Sequence, residues 1–353
     1  MEREKQRLVR VLPSQRETGS VLILTLWALL FLGMLVVAVS SHVAGVIRVA
    51  EGIADRTHAV LAARSGAAAA VQMAASFTNN YAALDDIWAD NPSVFENIQV
   101  GGGYFRVVGS PHAEGDQLRF GLDDEQGKIN LNRADERLLR TVFMLIGGVS
   151  GDRADELAAA LLDWRDPDDE VRPGGAETPY YQSLTPSYEA RNAPLETVEE
   201  LMLIKGMTPE VYRRLLPYVA VLPPDRRINI NTASARVLEC LGRAINPEKA
   251  TAARALAEKI SAYMRAGGRF ESPGLGAMAN ALNNAGYNLA TDESALLAGI
   301  VGRYLVVDTQ TFRGRVGGYS GRADEHHDGL SPEYVVEFVF DCKGLKMLYW
   351  REF

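Results

Sequence analysis

Six carboxylates gather in one short stretch of this chain, and like charges that close need relief. Asp163, Asp166, Asp168, Asp169 and Glu170 fall within the eight residues Asp163-Trp164-Arg165-Asp166-Pro167-Asp168-Asp169-Glu170, and Glu177 follows after Gly174-Gly175. Water can supply that relief, as can arginines such as Arg165 and Arg172, or a hard cation that takes several oxygen ligands. The spacing is not that of an EF-hand, which places Gly at the sixth loop position and Glu at the twelfth. Spacing alone therefore favours a solvated acidic loop and leaves a cation site as the alternative.

Little else in the chain could do chemistry. There is no H-E-x-x-H, no G-x-S-x-G and no phosphate loop, and Gly101-Gly102-Gly103 lacks the Lys and Ser/Thr that a phosphate loop needs. The protein is expected not to be an enzyme. His326-His327 offers a metal pair, but a solvated hairpin loop explains those residues as well. Cys240 and Cys342 are the only cysteines, too few for a disulfide framework or a thiolate zinc cluster. They lie about a hundred residues apart and pair only if the fold brings two separate regions together.

The elements that must position the acidic stretch are legible in outline. Val46, Ala50, Ile53, Thr57, Val60 and Arg64, then Ala68, Val71 and Ala75, keep helical steps of three and four. One helix is expected from about Val21 to about Phe77. Tyr104 to Val108 and Gln117 to Leu122 read as two short strands joined by a turn. From Lys128 to about Gly299 the pattern is helical. Strand character returns in Tyr304 to Phe312, Tyr334 to Phe340 and Leu345 to Phe353. One sheet interrupted by a helical insertion is the simplest arrangement. Inside the insertion Ile129-Asn130-Leu131-Asn132-Arg133-Ala134 recurs as Ile228-Asn229-Ile230-Asn231-Thr232-Ala233. The second Asn or the following Thr is expected to cap the next helix.

The N-terminus carries the second informative feature. Five Lys or Arg and three Glu occupy residues 1–19, and Val21 to Val39 is apolar apart from Thr25 and Gly33. About twenty such residues cross a bilayer core, and the basic flank stays cytoplasmic. Without the first nineteen residues the formal charge of −8 becomes −10. An acidic extracytoplasmic portion suits cations and protein partners better than nucleic acid. A secretory signal cut near Ser40-Ser41-His42-Val43-Ala44 and a plain signal anchor both remain open, although the run is longer than most signal h-regions. Cleavage between Gly19 and Ser20, retaining the apolar helix, resembles the processing of a type IV prepilin or pseudopilin.

Five ordered motifs sharpen that resemblance: Gly121 to Asn132, Asp163 to Asp168, Gly175-Ala176-Glu177, Arg191 to Leu195 with Glu199-Glu200-Leu201, and Ile228 to Ala233. Together with the leader they resemble the general secretion pathway protein K family, minor pseudopilins of type II secretion systems. The resemblance implies an α+β pseudopilin fold, a long N-terminal helix packed on an antiparallel sheet, with a large inserted all-α domain containing helix-hairpin-helix-like repeats. The implied parts are a leader over 1–19, the long helix over 20–78 with 21–39 in the membrane, the first part of the sheet over 79–127, the inserted domain over 128–300, and the rest of the sheet over 301–353.

The same resemblance implies cleavage after Gly19 by the prepilin peptidase and methylation of Ser20. It implies a tip complex with other minor pseudopilins that helps start pseudopilus growth for protein export, a single-pass inner-membrane location with a periplasmic domain, and contact with exoprotein cargo as an open case. It also implies structural calcium in the inserted domain, for which Asp163, Asp166, Asp168, Asp169 and Glu177 are the candidate ligands. Major pseudopilins usually carry Glu at the fifth mature position; here it is Leu24, as suits a subunit with no neighbour above it. Two alternatives share parts of this pattern. One is a minor pilin of a type IV pilus or competence system. The other is a membrane-anchored helix-hairpin-helix DNA receptor, whose turns would be Gly147-Gly148-Val149 and Lys205-Gly206-Met207.

Overall fold

The computed structural model describes residues 18–109, 118–223, 225–321 and 331–353. The chain forms two units, one ending at Asp55 and one running from Arg56 to Phe353. Helix α1 covers Thr18–Ala75. In the first unit its apolar side chains from Val21 to Val39 are all exposed, as in a segment whose apolar surface has no protein to bury it. The helix is long and apolar enough to cross a membrane.

In the second unit α1 changes character. Ala59, Ala62, Ala63, Ala67, Ala70 and Ala74 are fully buried, forming one alanine stripe at helical spacing that lets backbone approach backbone. After α1 come the short helix α2 (Pro92–Phe95) and strands β1 (Ile98–Val100), β2 (Gly103–Val107) and β3 (Asp123–Asp124). The expected hairpin is differently placed. β2 pairs with β1 across the Gly101-Gly102 turn, whereas Phe120 makes only an isolated bridge to Val108.

The helical insertion holds β4 (Ile129–Asn130), α3 (Glu136–Leu145), α4 (Gly151–Arg165), α5 (Thr178–Gln182), α6 (Pro209–Leu215), β5 (Val219–Ala220), β6 (Ile228–Asn229), α7 (Ala235–Ile245), α8 (Ala250–Arg265), α9 (Leu275–Asn284), α10 (Thr291–Val301) and β7 (Leu305–Val306). It is a duplicated unit. β4 pairs in parallel with β5, and β6 pairs in parallel with β7. Asn130 Oδ1 accepts from the Asn132 N–H at 2.8 Å, and Asn229 Oδ1 accepts from the Asn231 N–H at 3.1 Å. The capping expectation is corrected here. Asp135 and Ser234 cap α3 and α7, accepting from Leu138 N–H and Val237 N–H, because the chain is still turning at Asn132 and Thr232. Asn132 instead clamps the backbone of Leu195 in both directions, and Asn231 clamps Phe270 likewise.

Tyr304 to Phe312, expected as one strand, is divided: β7 serves the insertion and β8 (Thr311–Ser320) serves the main sheet, followed by β9 (Tyr334–Asp341) and β10 (Lys346–Glu352). The main sheet has the order β1-β2-β8-β9-β10, with β3 also on β8 and every pairing antiparallel. Its core joins the alanine stripe to Phe105, Val107, Val316, Val336 and Phe338. A Cβ at Gly318 would lie 2.0 Å from the carbonyl oxygen of Ala59, so only glycine allows β8 this close to α1.

Insertion and sheet meet at two adjacent buried acids. Asp124 accepts from Thr309 and Thr232 hydroxyls at 2.5 and 2.7 Å and from Asn229 Nδ2 at 2.9 Å. Burial opposes the charge of Glu125, yet Lys128 and Arg313 outweigh it and hold the carboxyl at about 2. Cys240 and Cys342 are both free thiols. They sit in different cores, Cys240 in α7 and Cys342 against the sheet, so the possible pairing does not form.

Candidate cation site in the acidic loop

The acidic loop starts where α4 ends, and α4 is held firmly. Trp164 is buried edge-on against Tyr181, with ring centroids 5.0 Å apart. The Arg165 guanidinium reaches back to the carbonyls of Leu131 and Ala134, which satisfies backbone oxygens of the first Asn repeat. Burial, and then the nearby Arg172 charge, lower the Arg165 pKa to about 10.

From this anchor the five candidate carboxylates part company. Asp163 is fully buried on α4 and pairs with Arg172 Nη1 at 2.7 Å. Its other oxygen occupies the space beside Gly175, where a Cβ would lie 2.0 Å away, so the residue before Ala176 has no room for a side chain. Arg172 also pairs with Asp166. Asp169 accepts from Asn192 Nδ2 at 2.9 Å, and Asp168 accepts from its own loop at Glu170 N–H. Glu177, at the start of α5, is completely buried.

Three of the five converge. Oxygens of Asp166, Asp168 and Glu177 lie within 4.8 Å of one another. Asp166 Oδ1 and both oxygens of Glu177 are buried without a hydrogen-bond partner among the described residues. Such a carboxylate is costly unless something neutralises it. Burial raises the Glu177 pKa to about 7, helped by the charges of Asp163, Asp166, Asp169 and Asp168. The group therefore faces a choice at neutral pH between a proton and a cation. The donor set, all hard oxygens with three unpartnered, fits a divalent cation of the calcium type. Asn192 was not singled out from sequence as a ligand. It adopts φ 47° and its Oδ1 is likewise buried without a partner among the described residues. The one signal available was its residue type, since Asn enters left-handed backbone more readily than most.

The turns that a DNA receptor would offer are occupied internally. Lys205 Nζ donates to the carbonyls of Gly174 and Gly175 at 3.2 and 2.9 Å, and Arg214 donates to the Gly147 carbonyl at 3.2 Å. Both cations serve the fold, one of them the floor of the acidic loop. At the other end of the chain, Ser20 and Leu24 lie exposed on α1, and Gly19 is in its first turn. His326-His327 lies outside the described residues.

Residues 122–224 match the family model of type II secretion system (T2SS) protein K. That span runs from β3 through the first Asn repeat and the acidic loop to β5. The type II secretion system protein K of Pseudomonas aeruginosa is 36% identical over 142 residues, covering 36% of this chain and 41% of the relative. That of Klebsiella pneumoniae is 44% identical over 81 residues, 23% of this chain and 25% of the relative. The chain thus spans less than half the length of these relatives. In three dimensions it resembles a chain in the crystal structure of the GspK-GspI-GspJ complex from the enterotoxigenic Escherichia coli type 2 secretion system. The TM-score is 0.60 at 20% identity, covering 84% of this chain and 96% of that one. The fold is the α+β pseudopilin fold with its helical insertion, and within it residues 122–224 form a domain that matches the type II secretion system protein K model.

Proposed function

We propose that this protein is a minor pseudopilin of a type II secretion system, joining other minor pseudopilins in a complex at the tip of the periplasmic pseudopilus. One observation carries the reading: a membrane-length apolar helix continues into an α1 packed on an antiparallel sheet, and the sheet is interrupted by a protein K domain. The similar chain of known structure was solved with GspI and GspJ, which supports partners of that kind here. The reading favours neither a DNA receptor nor a competence pilin.

In this proposal the prepilin peptidase cuts between Gly19 and Ser20, Ser20 is methylated, and α1 stays in the inner membrane with the second unit in the periplasm. Leu24 spares the tip a carboxylate that would have no amine to meet in the bilayer. Asp166, Asp168 and Glu177 would hold calcium, while Asp163 and Asp169 orient the loop through Arg172 and Asn192. A bound cation would supply charge neutralisation and fix the loop on α5, a structural role.

The test is the intact mass of membrane-extracted protein from cells with and without the prepilin peptidase. A chain starting at methylated Ser20 only when the peptidase is present supports the proposal. An uncut leader in both strains overturns it.

A further inference from the structure

The duplication repeats a second residue besides its asparagines. Arg137 is the second residue of α3 and Arg236 the second of α7, so both repeats put an arginine in the first turn of the helix that follows the Asn motif. A cation is disfavoured at that end, where the helix dipole is positive. Neither guanidinium has a hydrogen-bond or ion-pair partner among the described residues.

Each arginine lines its own cavity, one of about 670 Å³ along α3 and one of about 350 Å³ between α7 and α8. The cavities share Leu145 and Arg243 as a common wall. Seven arginines and four carboxylates line them together, in a chain whose net charge is −8. Three of those carboxylates are already taken: Asp135 by Arg303, Glu239 by Arg243 and Glu258 by Arg254. Glu136, which lines the cavity of Arg137 and not that of Arg236, is the one lining carboxylate with no ion-pair partner among the described residues. Arg243 keeps a buried Nε–H with no acceptor among the described residues, a donor in the shared wall that waits for one.

The geometry points to this double cleft as a docking site for an acidic segment of a partner protein. Carboxylates supply what planar guanidinium forks bind best. Met144, Leu145, Pro247 and Ala257 in the walls give apolar side chains of the same segment a surface to cover. A nucleic acid, a polyanion along its whole length, is opposed by the net charge of −8 that the chain carries.

The test uses full-length protein in detergent micelles and a fluorescently labelled short peptide alternating Glu and Leu. Its controls are a Gln/Leu counterpart and a labelled single-stranded oligonucleotide, and the readout is anisotropy. The Glu/Leu peptide is expected to bind, to weaken as salt rises, and to lose at least tenfold in affinity to the double variant Arg137→Glu/Arg236→Glu. The milder Arg137→Gln/Arg236→Gln pair should also weaken binding with its melting temperature unchanged, which guards against misfolding of the charge reversals. Equal binding of the Gln/Leu peptide, indifference to both double variants, or preference for the oligonucleotide overturns the assignment. The assay involves no membrane processing and no other subunit, so its failure leaves the tip reading standing.

Discussion

The two repeats of the inserted domain share a frame and differ in what hangs from it. In each, a parallel strand pair leads through an Asn-x-Asn turn to a helix, a second helix packs beside it, and the second Asn clamps a later stretch of backbone. In the second repeat that clamp grips Phe270, just past the end of α8 at Arg265. In the first, α4 also ends on an arginine, Arg165, but the clamp waits until Leu195. The whole acidic loop and α5 occupy the difference. Since the second repeat folds on the same frame with no such loop, the loop is an addition to the scaffold, and its carboxylates are free to serve something other than folding.

That comparison can be broken most forcefully at the clamps. Asn231 is buried and exchanges both hydrogen bonds with Phe270, at 2.9 and 2.8 Å. Asn231→Ala leaves the Phe270 N–H and carbonyl without partners, an expected loss of about 3 kcal/mol. Asn132 is only partly buried, so Asn132→Ala should cost about 2 kcal/mol. Denaturant unfolding of both variants checks the ranking. If Asn132→Ala proves the costlier, the loop-bearing repeat is the more dependent on its clamp and the scaffold is not shared in the sense argued.

Next come the arginines beyond the two helix ends. Arg172→Ala strands Asp163, a completely buried carboxylate, and should cost on the order of 2–3 kcal/mol, the low end for breaking a buried pair because Arg172 is partly exposed. Arg269 sits after α8 and pairs with Asp85 where both are open to solvent; Arg269→Ala should cost under about 1 kcal/mol. Thermal unfolding of the two variants side by side separates a structural ion pair from an ornamental one.

A third prediction concerns pH. The Glu177 carboxyl sits at about 7, against an ordinary value of 4.5. Its raised pKa means the folded chain binds the proton more tightly than the unfolded one, so the cation-free protein should lose stability as pH rises from about 4.5 to about 7. The loss should be on the order of 1–3 kcal/mol, reckoned at 1.36 kcal/mol per unit. Calcium should restore it, raising the melting temperature at pH 8 more than at pH 5.5. Glu177→Gln should flatten the pH profile and abolish the calcium effect. A profile and a calcium response unchanged by Glu177→Gln would remove this carboxylate from the site.

What the sequence made legible follows the same division. The Asn motif announced the duplication because it repeats six residues nearly intact. Its partners, Tyr218-Val219-Ala220-Val221 and Tyr304-Leu305-Val306-Val307, did not, because strands of two paired residues are too short for alternation to show. The caps were misread since Asn, Thr, Asp and Ser share the chemistry of capping, and only the backbone path decides which one faces the first turn. In the acidic stretch the residue types pointed to hard-cation chemistry, but spacing could not separate Asp163, committed to Arg172, from Asp166, Asp168 and Glu177, which converge. Asn192 was out of reach, since it meets Asp169 across 23 residues of chain.

The smallest effect on stability gives the sharpest reading of the loop. Asp168 is exposed and accepts one hydrogen bond within the loop, from Glu170 N–H, so Asp168→Asn should change cation-free stability by no more than about 0.5 kcal/mol. If its carboxylate closes on a cation with Asp166 and Glu177, the same change removes one of three charges and should weaken calcium binding about tenfold, measured by calorimetric titration. A second-repeat control, Asp292→Asn, touches a carboxylate paired with Lys249 at the surface and should leave calcium binding as it is. Loss with the first and constancy with the second would show that the added loop, and not the acidity of the domain as a whole, takes the ion; equal behaviour would return the loop to a solvated acidic turn.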